Sequence, residues 1–142
     1  AAAYLRRRGA NTLTVKGMFS DNIETYREKV DIVCKAHVYR GCAISIAPSG
    51  DGDIRLASAQ AADEMLNLKG VDASFVLFED NNQINISARS YGNVNVQIIM
   101  EKLGGGGHQT MAATQLKNTT KEFAYQQLLS EIDSTLDDEE NS

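Results

Sequence analysis

Cysteine, basic charge and long apolar runs are all scarce in this sequence, and each scarcity excludes something. Cys34 and Cys42 are the only cysteines. Two are too few for a disulfide framework, and with no secretory signal they read as free thiols of a reducing compartment. Asn85-Ile86-Ser87 and Asn118-Thr119-Thr120 fit the glycosylation pattern. Without a secretory signal both read as coincidences. No apolar run approaches the roughly 18 residues that a membrane span needs. Basic residues cluster only at Arg6-Arg7-Arg8, and the net charge is −5. That balance disfavours a long nucleic acid held by its phosphates, whereas a short anionic ligand needs only a few local donors. The chain opens mid-pattern at Ala1-Ala2-Ala3-Tyr4-Leu5 without an initiator Met, as expected of a piece of something longer.

What is present is a chain of 142 residues, 42% apolar and 23% charged, of the size and balance of one globular domain with a real core. Its most demanding stretch is Leu103-Gly104-Gly105-Gly106-Gly107-His108. Each glycine loses more backbone freedom on folding than a residue with a Cβ, on the order of 0.5–1 kcal/mol relative to Ala. A helix-to-strand connection needs one, where the chain turns left-handed. Three more suggest a backbone that something must approach closely, with bare N–H groups as anion donors. His108 adds a side chain able to donate, accept or carry charge near neutral pH.

Along the chain, residues 1–8 read as the last turns of a helix stopped by Gly9, and residues 14–19 as a helical turn. Asp21 and Glu24 form a capping box for a helix burying Ile23, Tyr26, Val30 and Val33, with a core or capping His37 at its end. Residues 41–47 read as a strand ended by Pro48 and the turn 49–53. The Asp51-Gly52-Asp53 turn reads as a loop rather than a metal site. Residues 54–56 suit a short return strand, and residues 59–68 an Ala-rich helix with Ala62, Met65, Leu66 and Lys69 on one side and Gly70 as its stop. Residues 73–79 and 83–90 form a hairpin around Asp80-Asn81-Asn82. On its second strand Ile84, Ile86 and Ala88 oppose Asn85, Ser87 and Arg89. Asn93 caps a helix over 94–103 with Val96, Ile99, Met100 and Leu103 as its apolar stripe. Residues 111–116 are the last strand, and Thr119 with Glu122 caps a final helix burying Ala124, Leu128 and Ile132. The acidic end at 137–142 is expected to fray into a disordered tail. Helices alternating with strands, one strand pair a hairpin, predict an α/β fold with a mixed sheet and flanking helices.

One constellation could carry chemistry. Arg89-Ser90 ends a strand, a helix follows, and the glycine run returns to the sheet. Arg89 would offer a planar fork to a phosphate or carboxylate, each such contact being worth about 1.5–3 kcal/mol. The N–H groups of Gly105 to Gly107 and the His108 imidazole would complete an anion cradle. A P-loop is excluded, because no Lys-Ser/Thr follows the glycines. A Rossmann fingerprint fails too, since the glycines follow a helix instead of opening one. The residues alone support an anion-binding α/β domain, with Arg89 paired to a surface acid and a loose glycine loop as the other reading.

Ile86-Ser87-Ala88-Arg89-Ser90, Asn95-Val96-Gln97, Met100-Glu101-Lys102-Leu103 with the four glycines and His108, and Ala112-Ala113-Thr114-Gln115 together resemble the DHHA1 domain. That domain is the C-terminal half of the DHH phosphoesterase superfamily. Upstream, Ala59-Gln60-Ala61-Ala62-Asp63-Glu64 and Gly70-Val71-Asp72-Ala73-Ser74-Phe75 resemble the branch that hydrolyses cyclic-di-AMP, the membrane-anchored bacterial phosphodiesterases. Many relatives carry Ala-Ala-Gly where this chain has Ala112-Ala113-Thr114, which fits the cyclic-dinucleotide branch better than the exonucleases.

The resemblance implies a two-lobed enzyme. Its N-terminal DHH lobe holds two divalent metals, usually Mn²⁺, and activates a water for attack on phosphorus. Its DHHA1 lobe grips the substrate. Carried over, Arg89 and Ser90 would hold phosphate, Gly104, Gly105, Gly106 and Gly107 would admit the nucleotide closely, and His108 would contact phosphate or base. No Asp-His-His is present, and His37 and His108 are the only histidines. The chain is therefore expected to hold no metal and no catalytic residue, and to be inactive by itself. Residues 1–20 would be the end of the DHH lobe and a connector, and 21–136 the substrate-binding domain. The implied partners are a cyclic dinucleotide or short oligonucleotide, the upstream DHH lobe and, as a further option, a second copy of the chain. The implied location is the cytoplasm, on a parent anchored in the cell membrane by upstream segments. Two alternatives share the motif: an oligoribonuclease, RecJ-like nuclease or 3′-phospho-nucleotide phosphatase lobe, and a non-catalytic nucleic-acid-binding or dimerisation module as in some tRNA synthetases.

Overall fold

The computed structural model describes residues 23–48 and 53–140. The expected helix end at 1–8, the turn at 14–19, the Asp21 cap and the turn at 49–52 lie outside them. The frame is a six-stranded sheet in the order β1-β2-β3-β4-β6-β5. The strands are β1 (His37–Tyr39), β2 (Cys42–Ile46), β3 (Ala73–Asp80), β4 (Gln83–Ser90), β5 (Gly106–Gly107) and β6 (Met111–Leu116). Among the described residues four helices flank it: α1 (Ile23–Cys34), α2 (Ile54–Met65), α3 (Val96–Lys102) and α4 (Lys121–Glu140). β2 and β3 are parallel and joined through α2, while every other pair is antiparallel. The α/β mixed sheet expected from the pattern is the fold observed.

The hairpin of β3 and β4 forms as the turn chemistry predicts. Asn81 and Asn82 both take positive φ, 55° and 61°, as a two-residue turn between paired Asp80 and Gln83 requires. A second hairpin of the same kind escaped the sequence reading. Tyr39 pairs with Cys42 across Arg40 (φ 52°) and Gly41 (φ 80°), so His37 opens a strand instead of ending a helix. The His37 ring nitrogen Nε2 lies 2.7 Å from the Tyr125 hydroxyl.

Two apolar layers hold the sheet. Ile44, Phe75, Leu77, Ile86 and Ala88 meet α3 and α4 on one face. On the other, Ala43, Val76 and Phe78 meet α2 and Ile32 of α1. The expected α3 and α4 stripes, Val96, Ile99, Met100 and Leu103 with Ala124, Leu128 and Ile132, are all buried. Cys34 and Cys42 are free thiols, and burial pushes the Cys42 thiol up to about 12.

Several boundaries and faces differ from expectation. Ile23, Tyr26 and Val30 of α1 are exposed; Thr25 and Ile32 face inward instead. Ile32 packs fully buried against α2, and on the same face Thr25 Oγ1 accepts from the Asp53 backbone N–H at 3.4 Å. Residues 54–56 are no strand. The Asp53 carboxylate accepts from Leu56 N–H at 3.1 Å and starts α2 there. The α2 helix also stops at Met65, five positions before the left-handed Gly70. The cap of α3 is Asn95, accepting from Ile98 N–H, because Asn93 is occupied with Asp72 at 2.9 Å. The cap of α4 is Thr120, accepting from Phe123 N–H at 3.1 Å, not Thr119.

The acidic end is helical to Glu140 rather than a tail from residue 137. The Arg40 guanidinium reaches Asp133 at 2.9 Å and Asp137 at 3.1 Å, fastening α4 to the β1–β2 turn. Tyr39 donates to the same Asp133 carboxylate at 2.7 Å. The Tyr39 hydroxyl first, and the Arg40 guanidinium second, hold the Asp133 carboxyl below the usual carboxylate range. The shared hydrogen bond pushes the Tyr39 phenol up.

Candidate functional site

The two faces of the sheet are not covered alike. β3 is buried along six consecutive residues, Ala73 to Phe78, so helices press on both of its sides. β6 alternates instead: Ala112 and Thr114 are buried, while Met111, Ala113 and Gln115 are exposed. The α1–α2 layer therefore ends short of β6 and leaves a shelf of bare sheet.

Register decides what lies on that shelf. Arg89 pairs with Met111, and Met111 exchanges backbone hydrogen bonds with His108 at 2.7 and 3.3 Å. Cross-strand partners point to the same face, so Arg89, Met111 and His108 form one row. With strands about 4.8 Å apart, Arg89 and His108 stand about 10 Å from each other across Met111. Beside it lies a second row of Ser87, Ala113 and Gly106. The glycine–histidine element thus returns to the same sheet face as Arg89, one strand away, with Met111 between them.

The four glycines separate by function. Gly104 (φ +90°) is the left-handed residue after α3. Its N–H donates to Glu101 O at 3.0 Å and that of Gly105 to Met100 O at 2.8 Å, the paired bonds of a Schellman cap. A Cβ on Gly105 would overlap the Ala113 carbonyl and Thr114, and one on Gly107 would overlap Ala112 and the Met111 carbonyl. What approaches these two so closely is β6 of the chain itself. Gly106 differs: a Cβ there meets nothing within 4 Å, and its φ is not left-handed. It opens onto the shelf.

The expected cradle of N–H donors from Gly105 to Gly107 is correspondingly reduced. The Gly105 donor is spent in the helix cap. By the alternation of antiparallel pairs, Gly106 faces β6 and Gly107 alone turns its N–H off the sheet edge. Thr114 has a role that its sequence position hides. Its hydroxyl donates to Leu103 O at 3.0 Å and locks the end of α3 against the strand.

Arg89 and Ser90 are adjacent in sequence but serve opposite faces. The Ser90 hydroxyl donates to Val94 O at 2.6 Å and accepts from Gly92 N–H at 2.9 Å, within a buried turn. Both bonds hold it in that turn, away from the shelf. Arg89 Nε donates to Asp63 Oδ1 at 2.9 Å and Nη1 to Ala88 O at 2.9 Å. A guanidinium has five N–H donors, so three remain beyond these two. The Asp63 contact is the surface-acid pairing considered above, and it fixes the fork without consuming it. Asp63 itself gave no sequence signal, because it reads as one more acid on a helical surface.

Among the described residues no group of three or more His, Cys, Asp or Glu side chains could hold a metal ion. No helix among them is long and apolar enough to cross a membrane. What the shelf offers is one held guanidinium, one exposed imidazole, one edge N–H and a flat patch of Gly106, Ala113 and Met111.

Comparison with known proteins agrees with this architecture. A model of the DHHA1 domain matches residues 41–138. The chain is 46% identical over 136 residues to the cyclic-di-AMP phosphodiesterase PdeA of Listeria monocytogenes, a match covering 94% of this chain and 21% of that protein. It is 40% identical over 137 residues to the cyclic-di-AMP phosphodiesterase GdpP of Bacillus subtilis, with coverages of 94% and 21%. The chain thus spans 21% of the length of each of these relatives. Among solved structures, an exopolyphosphatase-related protein from Bacteroides fragilis superposes with a TM-score of 0.66 at 21% identity, over 78% of this chain and 34% of that one. The C-Ala domain of Aquifex aeolicus alanyl-tRNA synthetase gives 0.53 at 18% identity, over 69% of this chain and 96% of that one. The sheet order, the glycine turn built against β6 and the family match over residues 41–138 lead to one statement: this chain belongs to the DHHA1 domain family.

Proposed function

We propose that this chain is the substrate-binding lobe of a metal-dependent phosphodiesterase that hydrolyses cyclic-di-AMP to linear diadenylate. The observation that carries the reading is the register row Arg89–Met111–His108 on an uncovered shelf, with Gly106 open beside it. The names of the relatives PdeA and GdpP support the choice of substrate.

In this reading the Nη donors of Arg89 left over from Ala88 O take a phosphate oxygen at the edge of a largely buried side chain, and Asp63 holds the Nε edge of the fork in place. His108 and the Gly107 N–H meet the far side of the ligand. Gly106 leaves room for a planar group to lie against the sheet, where a side chain would lift it off. Ser90 is not part of the grip; it holds the turn that follows Arg89. Two divalent metals, taken as Mn²⁺, would sit in an upstream DHH lobe and supply the activated water. This chain's share is to bind and orient the phosphodiester for that water. The parent would be anchored in the bacterial membrane upstream, with this lobe in the cytoplasm.

The test is turnover by the full-length protein on cyclic-di-AMP, linear diadenylate and short RNA, side by side. Preference for cyclic-di-AMP, with loss of its binding in Arg89→Ala and His108→Ala, is the expected result. Preference for short RNA would identify the oligoribonuclease branch instead. Unchanged binding in both variants would favour a non-catalytic module. Mn²⁺-dependent turnover by the 142-residue chain alone would overturn its assignment as a binding lobe only.

A further inference from the structure

We propose that Tyr91 is a stacking platform for a nucleobase, next to the phosphate held at Arg89. This extends the preceding section, because it rests on Arg89 as the phosphate grip.

Tyr91 is the most exposed large apolar side chain among the described residues, at 62%. It packs in neither apolar layer. Yet it is not loose: its hydroxyl donates to Leu66 O at 2.8 Å, with Asn67 Oδ1 at 3.4 Å. An aromatic ring pinned at its tip and bare along its body presents a fixed π-face to solvent. Core packing gives no reason for that arrangement.

Position supplies the reason. Arg89 lies at the end of β4 and Tyr91 just beyond the strand, and both side chains reach the C-terminal end of α2. Arg89 is pinned to Asp63 and Tyr91 to Leu66, three residues apart at the C-terminal end of the same helix. One helical turn therefore holds a cationic fork and an aromatic plate side by side. Gln109 ties down the residue after Tyr91, donating through Nε2 to Gly92 O at 3.0 Å. A phosphate and a base separated by one ribose is the ligand class that matches this pair. Stacking tolerates any base, so Tyr91 adds affinity more than choice of base.

The test is calorimetric titration of the full-length protein with adenosine 5′-monophosphate and with ribose 5-phosphate, which lacks the base. Tyr91→Leu should weaken the nucleotide about tenfold, equivalent to about 1.4 kcal/mol, and leave the sugar phosphate unchanged. Tyr91→Phe, which keeps the ring and loses the tether, should recover most of the nucleotide affinity. Equal weakening of both ligands by Tyr91→Leu would make Tyr91 a strut and overturn the proposal, as would no weakening of either. Arg89→Ala should weaken both ligands alike. If it weakens neither while Tyr91→Leu still discriminates, the phosphate grip fails and the base platform stands.

Discussion

β3 and β6 are near neighbours in one sheet, separated only by β4, yet they live in different surroundings. β3 is shut in on both sides by helices, and six of its residues in a row are buried. β6 is covered on one side only and shows Met111, Ala113 and Gln115 to solvent. The first strand is a fastening and the second a display. A helical layer that stops early turns half of a sheet face into a surface, and the register then decides which side chains share it. Arg89 stands at the boundary, its side chain largely buried and held by Asp63 of the covering layer.

Substitutions can test how sharply the two strands differ. Phe75→Ala on β3 should cost about 3–5 kcal/mol of stability, because the ring is fully buried and the cavity cannot collapse between two layers. Met111→Ala on β6 should leave the urea midpoint nearly unchanged while weakening ligand binding. A comparable stability loss at both strands would end the distinction. The glycine turn gives the next contrast. Gly105→Ala should cost about 3 kcal/mol, since its Cβ must displace Ala113 or Thr114 backbone, whereas Gly106→Ala should fold normally and lose affinity alone. Arg89→Ala should weaken binding by about 1.5–3 kcal/mol, read as a rise in Kd of one to two orders of magnitude. On the covered side, Thr120→Ala should lower stability by about 1 kcal/mol through loss of the α4 cap, with no change in Kd.

The smallest effect concerns pH. The Asp133 carboxyl is held below its usual range by Tyr39 and Arg40. Its contribution is therefore present above the unfolded carboxylate value of about 3.9 and fades as pH falls through the lowered folded value. Urea midpoints of the protein and of Asp133→Asn should differ at pH 7 and converge below that range. A gap that persists into strong acid would show that Asp133 acts through packing instead.

The local chemistry was legible wherever neighbouring residues make it. Asp80-Asn81-Asn82 specified a tight turn, the stripe of α3 specified its buried face, and β6 appeared at residues 111–116 as read. Failures fell where a distant residue competes. The α1 helix turns away from its apparent stripe, burying Ile32 against α2 and bringing Thr25 to the backbone of residue 53. Asn93 has the right chemistry for a cap, but Asp72 claims it and Asn95 takes the role. The β1–β2 turn was missed because it asks an arginine, Arg40, to adopt positive φ, which no local rule anticipates.

The candidate site divides in the same way. Arg89, the glycine run and His108 stood out by residue type alone, and the motif they form carried the family. The tertiary structure decided which of them share a face. Side-chain direction alternates along a strand, so neighbouring Arg89 and Ser90 part company, while Arg89 and His108, 19 positions apart, join one row. It also decided why the glycines are glycine. Two admit the chain's own strand, one turns the helix, and Gly106 leaves open space without needing a left-handed φ. Sequence determines which groups a protein can offer; which of them face a ligand depends on register and on where the covering helices stop, and both are properties of contacts between distant parts of the chain.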